Sequence, residues 1–342
     1  MHLYQHQTIT TMREALTMTR LVLALAVGVC VLRVSSVTGA QNAAELPFTL
    51  KQVGPNVWAA ISNSKSPAAA SANTGFVIGD DAVAVIDTTL NVDANGNFGT
   101  VPAQQLVAAI RRLTKLPVRF VINTHYHFDH TGANAVFVKA GAIAVAHHNV
   151  RGWITTDNLR ILGKEIKTQQ KTFIEAIPPP TVTFDHEIDL HLGARAIQLR
   201  SFPGHTGGDS VVLVPDAKVV FAGDLFWHDM LPNMIDASTQ GWIDTLATLT
   251  KSEPAATFVP GHGDLGTVQD VDAFRGYLVT LRKLVSDAQA RGQSGEALAN
   301  AVIAALTDKY NRWDGFKYLA RVNVIETDAE LSGKKRIPQP AR

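Results

Sequence analysis

The chain of 342 residues contains a single cysteine, Cys30, and that residue lies in an apolar stretch near the start. A mature chain beginning near Gln41 therefore has no thiol, so it forms no disulfide and offers no thiolate to a metal. An excess of one charge is also missing, because 31 Lys and Arg residues stand against 30 Asp and Glu residues. This balance argues against nucleic acid as a partner and predicts a neutral or mildly charged small molecule as substrate.

Long apolar runs are scarce, and the run at residues 21–32 is short for a membrane span. It follows a basic residue and precedes small residues around Ala40, which is the order found in export signals. Residues 1–40 are therefore predicted to be a signal peptide cleaved near Ala40, with Met12 or Met18 as alternative starts of an over-long N-terminus. The mature protein is expected to be periplasmic or secreted, without stable membrane association. An uncleaved membrane anchor is the alternative.

The remaining residues, 41–342, carry short strand patterns in two batches, each followed by helical patterns. The first batch includes "TGFVIG", "AVAVIDTT" and "VRFVINT", and the second includes "RAIQLRSF", "SVVLVP" and "KVVFAG". Two mainly β sheets packed face to face, with helices outside, fit this order. No linker-like stretch interrupts it, so a single domain with a C-terminal helical extension is expected. Residues 147–177 are the candidate for an insertion over the active face.

The stretch "VINTHYHFDHTGAN" places three histidines and one aspartate within six positions behind an apolar run. His125 and His127 are two apart, the spacing at which strand side chains share a face. Asp129 and His130 are expected in a turn beyond the strand, ahead of a helix beginning near Thr131. A histidine-rich surface loop is the alternative, but four potential ligands at a strand end favour a metal site.

Three further candidate ligands follow short apolar strands, and each comes directly after a glycine. They are His205 in "FPGHTGGDS", Asp224 in "FAGDLF" and His262 in "VPGHGD". Glycine at such positions suits a turn with close backbone approach. With the first cluster, they supply five imidazoles and two carboxylates, about what two divalent ions with four or five ligands need when solvent completes the shells.

This pattern resembles the metallo-β-lactamase superfamily, whose signature H-x-H-x-D-H stands here at positions 125–130. The order of "VIDT", His205, Asp224 and His262 around it is similar as well. The resemblance implies an α/β (α+β) fold, a four-layer αββα sandwich of two mixed β-sheets flanked by helices. It also implies metals at one edge of the two sheets.

Carried over by position, the resemblance assigns a role to each candidate ligand. It implies that the first ion is held by His125, His127 and His205, the second by Asp129, His130 and His262, and that Asp224 bridges them. Asp87 in "VIDT" would support the site from below. Aspartate at position 224 is more similar to the glyoxalase II, lactonase and arylsulfatase-like branches than to the cysteine-ligand β-lactamases.

The predicted activity is that of an exported, dinuclear zinc-dependent hydrolase, with Fe or Mn left open as metals. Two such ions generate hydroxide from water near neutral pH, and Asp129 is expected to pass its proton to the leaving group. An ester, lactone, thioester or cyclic amide (β-lactam-like) bond is the expected target. An iron-dependent persulfide dioxygenase-like enzyme and a phosphodiesterase are the alternatives, although no basic run favours the latter.

Substrate contacts are predicted for Trp227, His228 and Met230, which follow Asp224, and for Trp153 in the insertion. A packed loop at the sheet edge is the alternative for these residues. The sequence does not determine the oligomeric state of the protein, nor the acyl part and the leaving group of its substrate.

Residues beside the ligands have two interpretations. Asn123, Thr206 and Asp209 are candidates for orienting the imidazoles, with turn capping as the alternative. Near the C-terminus, Trp313, Phe316 and Tyr318 are expected to pack against the sandwich, and the alternative is a dimer contact.

Overall fold

Fourteen strands, ten α-helices and one short 3-10 helix (Pro215–Ala217) are found in the computed structural model, which describes residues 46–63, 66 and 69–336. The strands are β1 (Phe48–Gly54), β2 (Val57–Ser62), β3 (Thr74–Ile78), β4 (Val83–Ile86), β5 (Asn91–Val92), β6 (Phe98–Gly99), β7 (Val118–Ile122), β8 (Ile143–His147), β9 (Val182–Phe184), β10 (Glu187–Leu192), β11 (Arg195–Ser201), β12 (Ser210–Val214), β13 (Val219–Trp227) and β14 (Thr257–His262). The helices are α1 (Val101–Leu113), α2 (Phe128–Thr131), α3 (Asn134–Val138), α4 (His148–Trp153), α5 (Thr156–Leu162), α6 (Thr168–Glu175), α7 (Thr239–Ser252), α8 (Val268–Ala290), α9 (Gly295–Tyr310) and α10 (Phe316–Leu331). The expected signal peptide, residues 1–40, lies outside the described residues.

Both large sheets are mixed. The first has the order β1-β2-β3-β4-β7-β8-β9 and is antiparallel from β1 to β4, then parallel from β4 to β9. The second has the order β10-β11-β12-β13-β14 and is antiparallel except for the last pair. A parallel pair needs a crossover connection, and here α1, α7 and the β7–β8 segment supply such connections.

The sheets pack face to face because their strands are apolar on both sides. In β4, Ala84 and Ile86 join the core between the sheets, whereas Val83 and Val85 face α1 and α3. In β12, Val212 points into the same intersheet core, and its neighbours pack against the layer of α7 to α10. Side chains alternate along a strand, so each sheet buries both faces. The αββα sandwich that the sequence predicted is thereby confirmed.

The C-terminal helices cover the outer face of the second sheet. Trp313 and Phe316 are partly buried against that core, as predicted. Tyr318 is 76% exposed, so the prediction that it packs inward is wrong. The buried face of α10 repeats at positions 320, 323, 324 and 327, and a residue at 318 falls outside this helical stripe. The described residues between Leu46 and Arg336 belong to one compact unit.

Among the described residues, no helix combines the length and the apolar character that crossing a bilayer requires. The proposed insertion at residues 147–177 begins with the last residue of β8 and then forms α4, α5 and α6. α5 lies against the motif segment, because Asn158 Oδ1 accepts from the N–H of Phe128 at 3.0 Å.

Candidate metal centre

The signature motif occupies a loop and a short helix rather than a strand end. β7 ends at Ile122, His125 lies in a bend beyond it, and His127 directly precedes α2. The prediction that the two histidines share a strand face is therefore wrong. Asp129 and His130 lie inside α2, which begins at Phe128 and not near Thr131. The N–H of His130 donates to the carbonyl of His127, and this bond starts the helix early and turns both side chains back toward the loop.

The other three candidates come from the second sheet. His205 lies in the loop between β11 and β12, and His262 is the last residue of β14. Asp224 lies within β13 instead of beyond its end, at an irregularity in the pairing with β14. Gly223 has φ +52°, and a Cβ there would lie 2.5 Å from Thr124 Oγ1, so only glycine permits this turn of the strand.

Four side chains form the first group of potential ligands: His125, His127, His205 and Asp224, all of them buried. His205 Nε2 lies 2.9 Å from His127 Nδ1 and 3.2 Å from Asp224 Oδ2. His125 Nε2 lies 3.7 Å from the same carboxylate oxygen. The four donor atoms therefore surround one point.

The second group comprises Asp129, His130 and His262. Asp129 Oδ2 lies 3.2 Å from His262 Nε2 and 3.5 Å from His130 Nε2, and the two imidazole nitrogens are 3.4 Å apart. Asp224 Oδ1 completes this group, at 3.0 Å from His130 Nε2 and 3.4 Å from His262 Nε2. The Asp224 carboxylate thus points Oδ2 at the first group and Oδ1 at the second group.

These spacings fit divalent metal ions. A tetrahedral zinc ion with ligands at about 2.0–2.1 Å has ligand–ligand edges of about 3.3 Å, close to the separations in both groups. His125 Nε2 is buried and has no hydrogen-bond partner among the described residues. A buried polar atom without a partner is costly, and a cation bound between the donors removes that cost. The donor set of imidazoles and carboxylates suits zinc, iron or manganese.

The electrostatics separate the two groups. Burial, followed by the neighbouring His130, lowers the pKa of His125, and burial lowers the pKa of His205 to about 3. Burial alone would also lower the pKa of His130 and His262, but the carboxylates of Asp224 and Asp129 raise the pKa of His262 to about 9 and that of His130 well above its usual value. The carboxylates therefore attract positive charge to the second group.

Asp87 supports the site from below, as the resemblance implied. Its Oδ2 lies 2.9 Å from His130 Nδ1, and its two oxygens accept from the Thr124 N–H and hydroxyl, each at 2.8 Å. Asn123 donates from Nδ2 to Asn134 Oδ1 at 3.0 Å, which fixes the loop rather than an imidazole ring. A carboxylate on the far nitrogen of an imidazole sets its tautomer and orientation, so Asp87 directs His130 Nε2 into the centre.

Thr206 and Asp209 cap a turn. Asp209 accepts from the Thr206 N–H at 2.7 Å and from its hydroxyl at 2.5 Å. Burial raises the pKa of the Asp209 carboxyl to about 8. Among the described residues, neither side chain is hydrogen-bonded to an imidazole ring, and the turn-capping alternative accounts for both.

A cavity of about 260 Å³ opens onto the two groups. Its lining comprises Ser71, His127, Phe128, Asp129, Ile161, Asp224, Trp227 and Asn233. Trp227 stacks on His262 with ring centroids 4.0 Å apart, so it is both a wall of the cavity and a support for a candidate ligand. Of the four predicted substrate residues, Trp227 alone lines this cavity.

The other three predicted substrate residues do not line this cavity. Trp153 is 3% exposed and packs edge-on against Tyr126. The Nδ1 atom of His228 is hydrogen-bonded to the Asp264 carbonyl, and its ring stacks on Phe226. Met230 lines a neighbouring cavity of about 430 Å³ that shares His262 with the metal centre.

Three residues at the site carried no signal in the sequence. Asn233 lines the cavity with Oδ1 held by the Ile235 N–H, and Ser71 lines the same cavity. Asp236 lies 3.8 Å from His127 Nε2 and accepts from the hydroxyl of Tyr126. Each stands in an irregular segment, so neither periodicity nor a motif distinguishes it from an ordinary loop residue.

The chain is similar to several known proteins. The family model described as Metallo-beta-lactamase superfamily matches residues 69–262. The human acyl-coenzyme A thioesterase MBLAC2 is 24% identical over 210 residues, which cover 56% of this chain and 72% of that protein. The hydroxyacylglutathione hydrolase of Mesorhizobium japonicum is 26% identical over 157 residues, covering 46% of this chain and 52% of the relative.

Among solved structures, a metallo-beta-lactamase from Pontibacter korlensis superposes with a TM-score of 0.52 at 21% identity. The match covers 68% of this chain and 99% of that chain. At this identity the likeness concerns the fold alone.

Proposed function

Because this chain belongs to the metallo-beta-lactamase superfamily and is a metallo-hydrolase, we propose that it is an exported, dinuclear zinc-dependent enzyme that cleaves an acyl bond. The expected target is an ester, lactone, thioester or cyclic amide. The proposal rests on the position of Asp224 between two compact groups of candidate ligands. Its Oδ1 lies near His130 of the second group, and its Oδ2 lies near His205 of the first.

The donor atoms are arranged to hold two ions. His125, His127 and His205 would hold one ion, Asp129, His130 and His262 the other, and Asp224 both. Two bound zinc ions supply Lewis acidity toward a carbonyl oxygen and a nucleophilic hydroxide at neutral pH. No serine or cysteine nucleophile is needed in this chemistry, so no covalent acyl-enzyme is expected.

The chain's own residues handle the proton and the substrate. Burial would raise the pKa of Asp129, but His130 and His262 hold it below its usual value, so the carboxylate is ionised and can accept a proton. Its side chain is 21% exposed and lines the cavity, within reach of a leaving group. Asn233 can donate from Nδ2 to a substrate carbonyl, because its Oδ1 is already held by the Ile235 N–H.

The cavity supports a small substrate with an apolar part. Phe128, Ile161 and Trp227 provide apolar walls, and the volume of about 260 Å³ suits a short acyl or aryl group. One relative is named a thioesterase, which makes an acyl thioester a natural first substrate to test.

Export is a separate part of the proposal. It is supported by the order of basic, apolar and small residues in positions 1–40. Expression of the full chain, followed by cell fractionation and N-terminal sequencing, should give a periplasmic or secreted product that begins near Gln41. Retention of the full-length chain in the cytoplasm would contradict this part alone.

The activity is tested by a hydrolysis panel on zinc-loaded protein. The panel contains an acyl thioester, an aryl ester, an acyl-homoserine lactone, a chromogenic cephalosporin and an aryl sulfate. Stripping the metal should abolish turnover, zinc should restore it, and Asp224→Ala should remain inactive. Asp244→Ala, which removes an exposed carboxylate on α7, is the matched control and should retain full activity.

Two outcomes would overturn the proposal. Turnover that persists in metal-stripped protein would exclude the metal-dependent mechanism. Protein that binds iron, consumes oxygen in the presence of a persulfide and hydrolyses none of the panel would point to the redox alternative.

A further inference from the structure

His127 faces the metal centre with Nδ1. Its Nδ1 lies 2.9 Å from His205 Nε2 and belongs to the first group, whereas its Nε2 is turned away from the centre. A nitrogen that binds a metal must be free of its proton, so the N–H of His127 has to reside on Nε2. Nε2 is buried and has no hydrogen bond within the described residues, and it lies 3.8 Å from Asp236 Oδ2.

Asp236 is held firmly in front of that nitrogen. It is 2% exposed, and Arg160 Nη2 donates to its two oxygens at 2.6 and 2.7 Å. The hydroxyl of Tyr126, the residue before His127, donates to Oδ2. Arg160 is fixed in turn by Asp157 at 2.8 Å. Oδ2 accepts from Arg160 and Tyr126 and is thereby held facing His127 Nε2 at 3.8 Å, which is an electrostatic contact and not a hydrogen bond.

The loop that carries Asp236 is held by residues of the C-terminal extension. Lys335 Nζ donates to the carbonyls of Met234 and Ala237 at 2.6 and 2.7 Å, and its side chain is 3% exposed. Two residues farther along, the N–H of Thr239 donates to Glu330 of α10 at 2.9 Å. Lys335 and Glu330 both lie beyond residues 69–262, the part matched by the family model.

We propose that Asp236 is a positioning residue for His127 in the first metal group, and that Lys335 of the C-terminal extension holds its loop in place. The inference rests on the proposed dinuclear centre. It adds that the extension serves the metal site, since a carboxylate on the outer nitrogen of a ligand imidazole fixes the ring and strengthens the ligand.

Zinc alone is the probe. The full chain is titrated with zinc against a chromogenic chelator, and bound zinc is counted by atomic emission after dialysis. The unaltered protein should bind two ions. Asp236→Ala should weaken one of them about 10–100-fold and leave the other unchanged. Asp236→Asn, which keeps the shape and one acceptor oxygen, should lose less, and Lys335→Met should change the same ion in the same direction.

The control is Leu306→Ala, which removes a fully buried side chain of α9 and lowers the melting temperature without touching the site. It should keep both zinc affinities, so a selective loss of one ion separates positioning from general destabilisation. If Asp236→Ala fails to fold, Asp236→Asn provides the same measurement. Should the unaltered protein bind two ions and both Asp236 variants retain them at full affinity, this inference alone is wrong. Should the unaltered protein bind no zinc, the proposed function falls with it.

Discussion

Gly261 offers a sharp test of the shared carboxylate, because its missing side chain makes room for Asp224. A Cβ at Gly261 would lie 1.9 Å from Asp224 Oδ1, and 2.9 and 3.0 Å from the backbone of Gly223 and Asp224. Real Cβ atoms essentially never approach another atom closer than 3.0 Å, so in Gly261→Ala the new Cβ and that oxygen must separate by at least 3.0 − 1.9 = 1.1 Å, through movement of the carboxylate or of the backbone.

This displacement far exceeds what a metal site tolerates. Metal–ligand distances vary by about 0.2 Å around their usual values, so a shift of 1.1 Å removes Oδ1 as a ligand. The flexible carboxylate moves more easily than the two backbones of β13 and β14. We therefore expect the variant to fold, with a stability loss of about 1–3 kcal/mol from overpacking.

The assay combines zinc counting with thermal unfolding. Gly261→Ala should lose zinc from the second group and lose activity to the level of Asp224→Ala, while its circular dichroism spectrum stays that of the unaltered chain. Gly208→Ala is the matched control, since its Cβ would meet nothing closer than 3.3 Å in the loop after His205. Two zinc ions at unaltered affinity in Gly261→Ala would refute the placement of Asp224 between the groups.

Three further predictions concern stability. Removing zinc with a chelator should lower the melting temperature by several degrees, because each bound ion stabilises the fold by about 4 kcal/mol when free zinc is at 1,000 times its Kd. An unchanged transition in calorimetry would contradict a structural contribution of the metals. In urea unfolding, Leu281→Ala should cost about 2–5 kcal/mol because Leu281 is fully buried, whereas Tyr318→Ser should change stability by less than about 0.5 kcal/mol; equal losses would place Tyr318 in the core after all. Burial would raise the pKa of Asp270, but the N–H and hydroxyl of Thr267 hold this pKa below its usual value. The ionised carboxylate therefore stabilises the folded state above the unfolded pKa of about 3.9, and this stabilisation is lost as pH falls through the lower folded pKa. Asp270→Asn should thus destabilise α8 by about 1 kcal/mol at pH 7 and by nothing near pH 2, and a constant difference across that range would reject this account.

The local pattern of the sequence was enough to identify the layers and the kinds of ligand. Short, continuous apolar runs such as those of β4 and β12 indicate strands buried on both faces, and such runs can be recognised without the rest of the fold. The donor types in "HYHFDH" and after the later strands likewise indicated metal without any knowledge of distances. The same reasoning failed where a local pattern had two readings, as for Tyr318 and for the start of α2.

The sequence by itself therefore determined that this chain builds two β sheets and carries seven residues suited to divalent metals. The family resemblance had already implied that Asp224 bridges two ions. Only the tertiary structure decided that His127 turns Nδ1 inward and that Asp236 stands behind it. The physical reason is that periodicity and donor chemistry are properties of neighbouring residues. Contacts such as that of Tyr126 with Asp236, 110 positions apart, exist only once the sheets and the C-terminal extension have packed together.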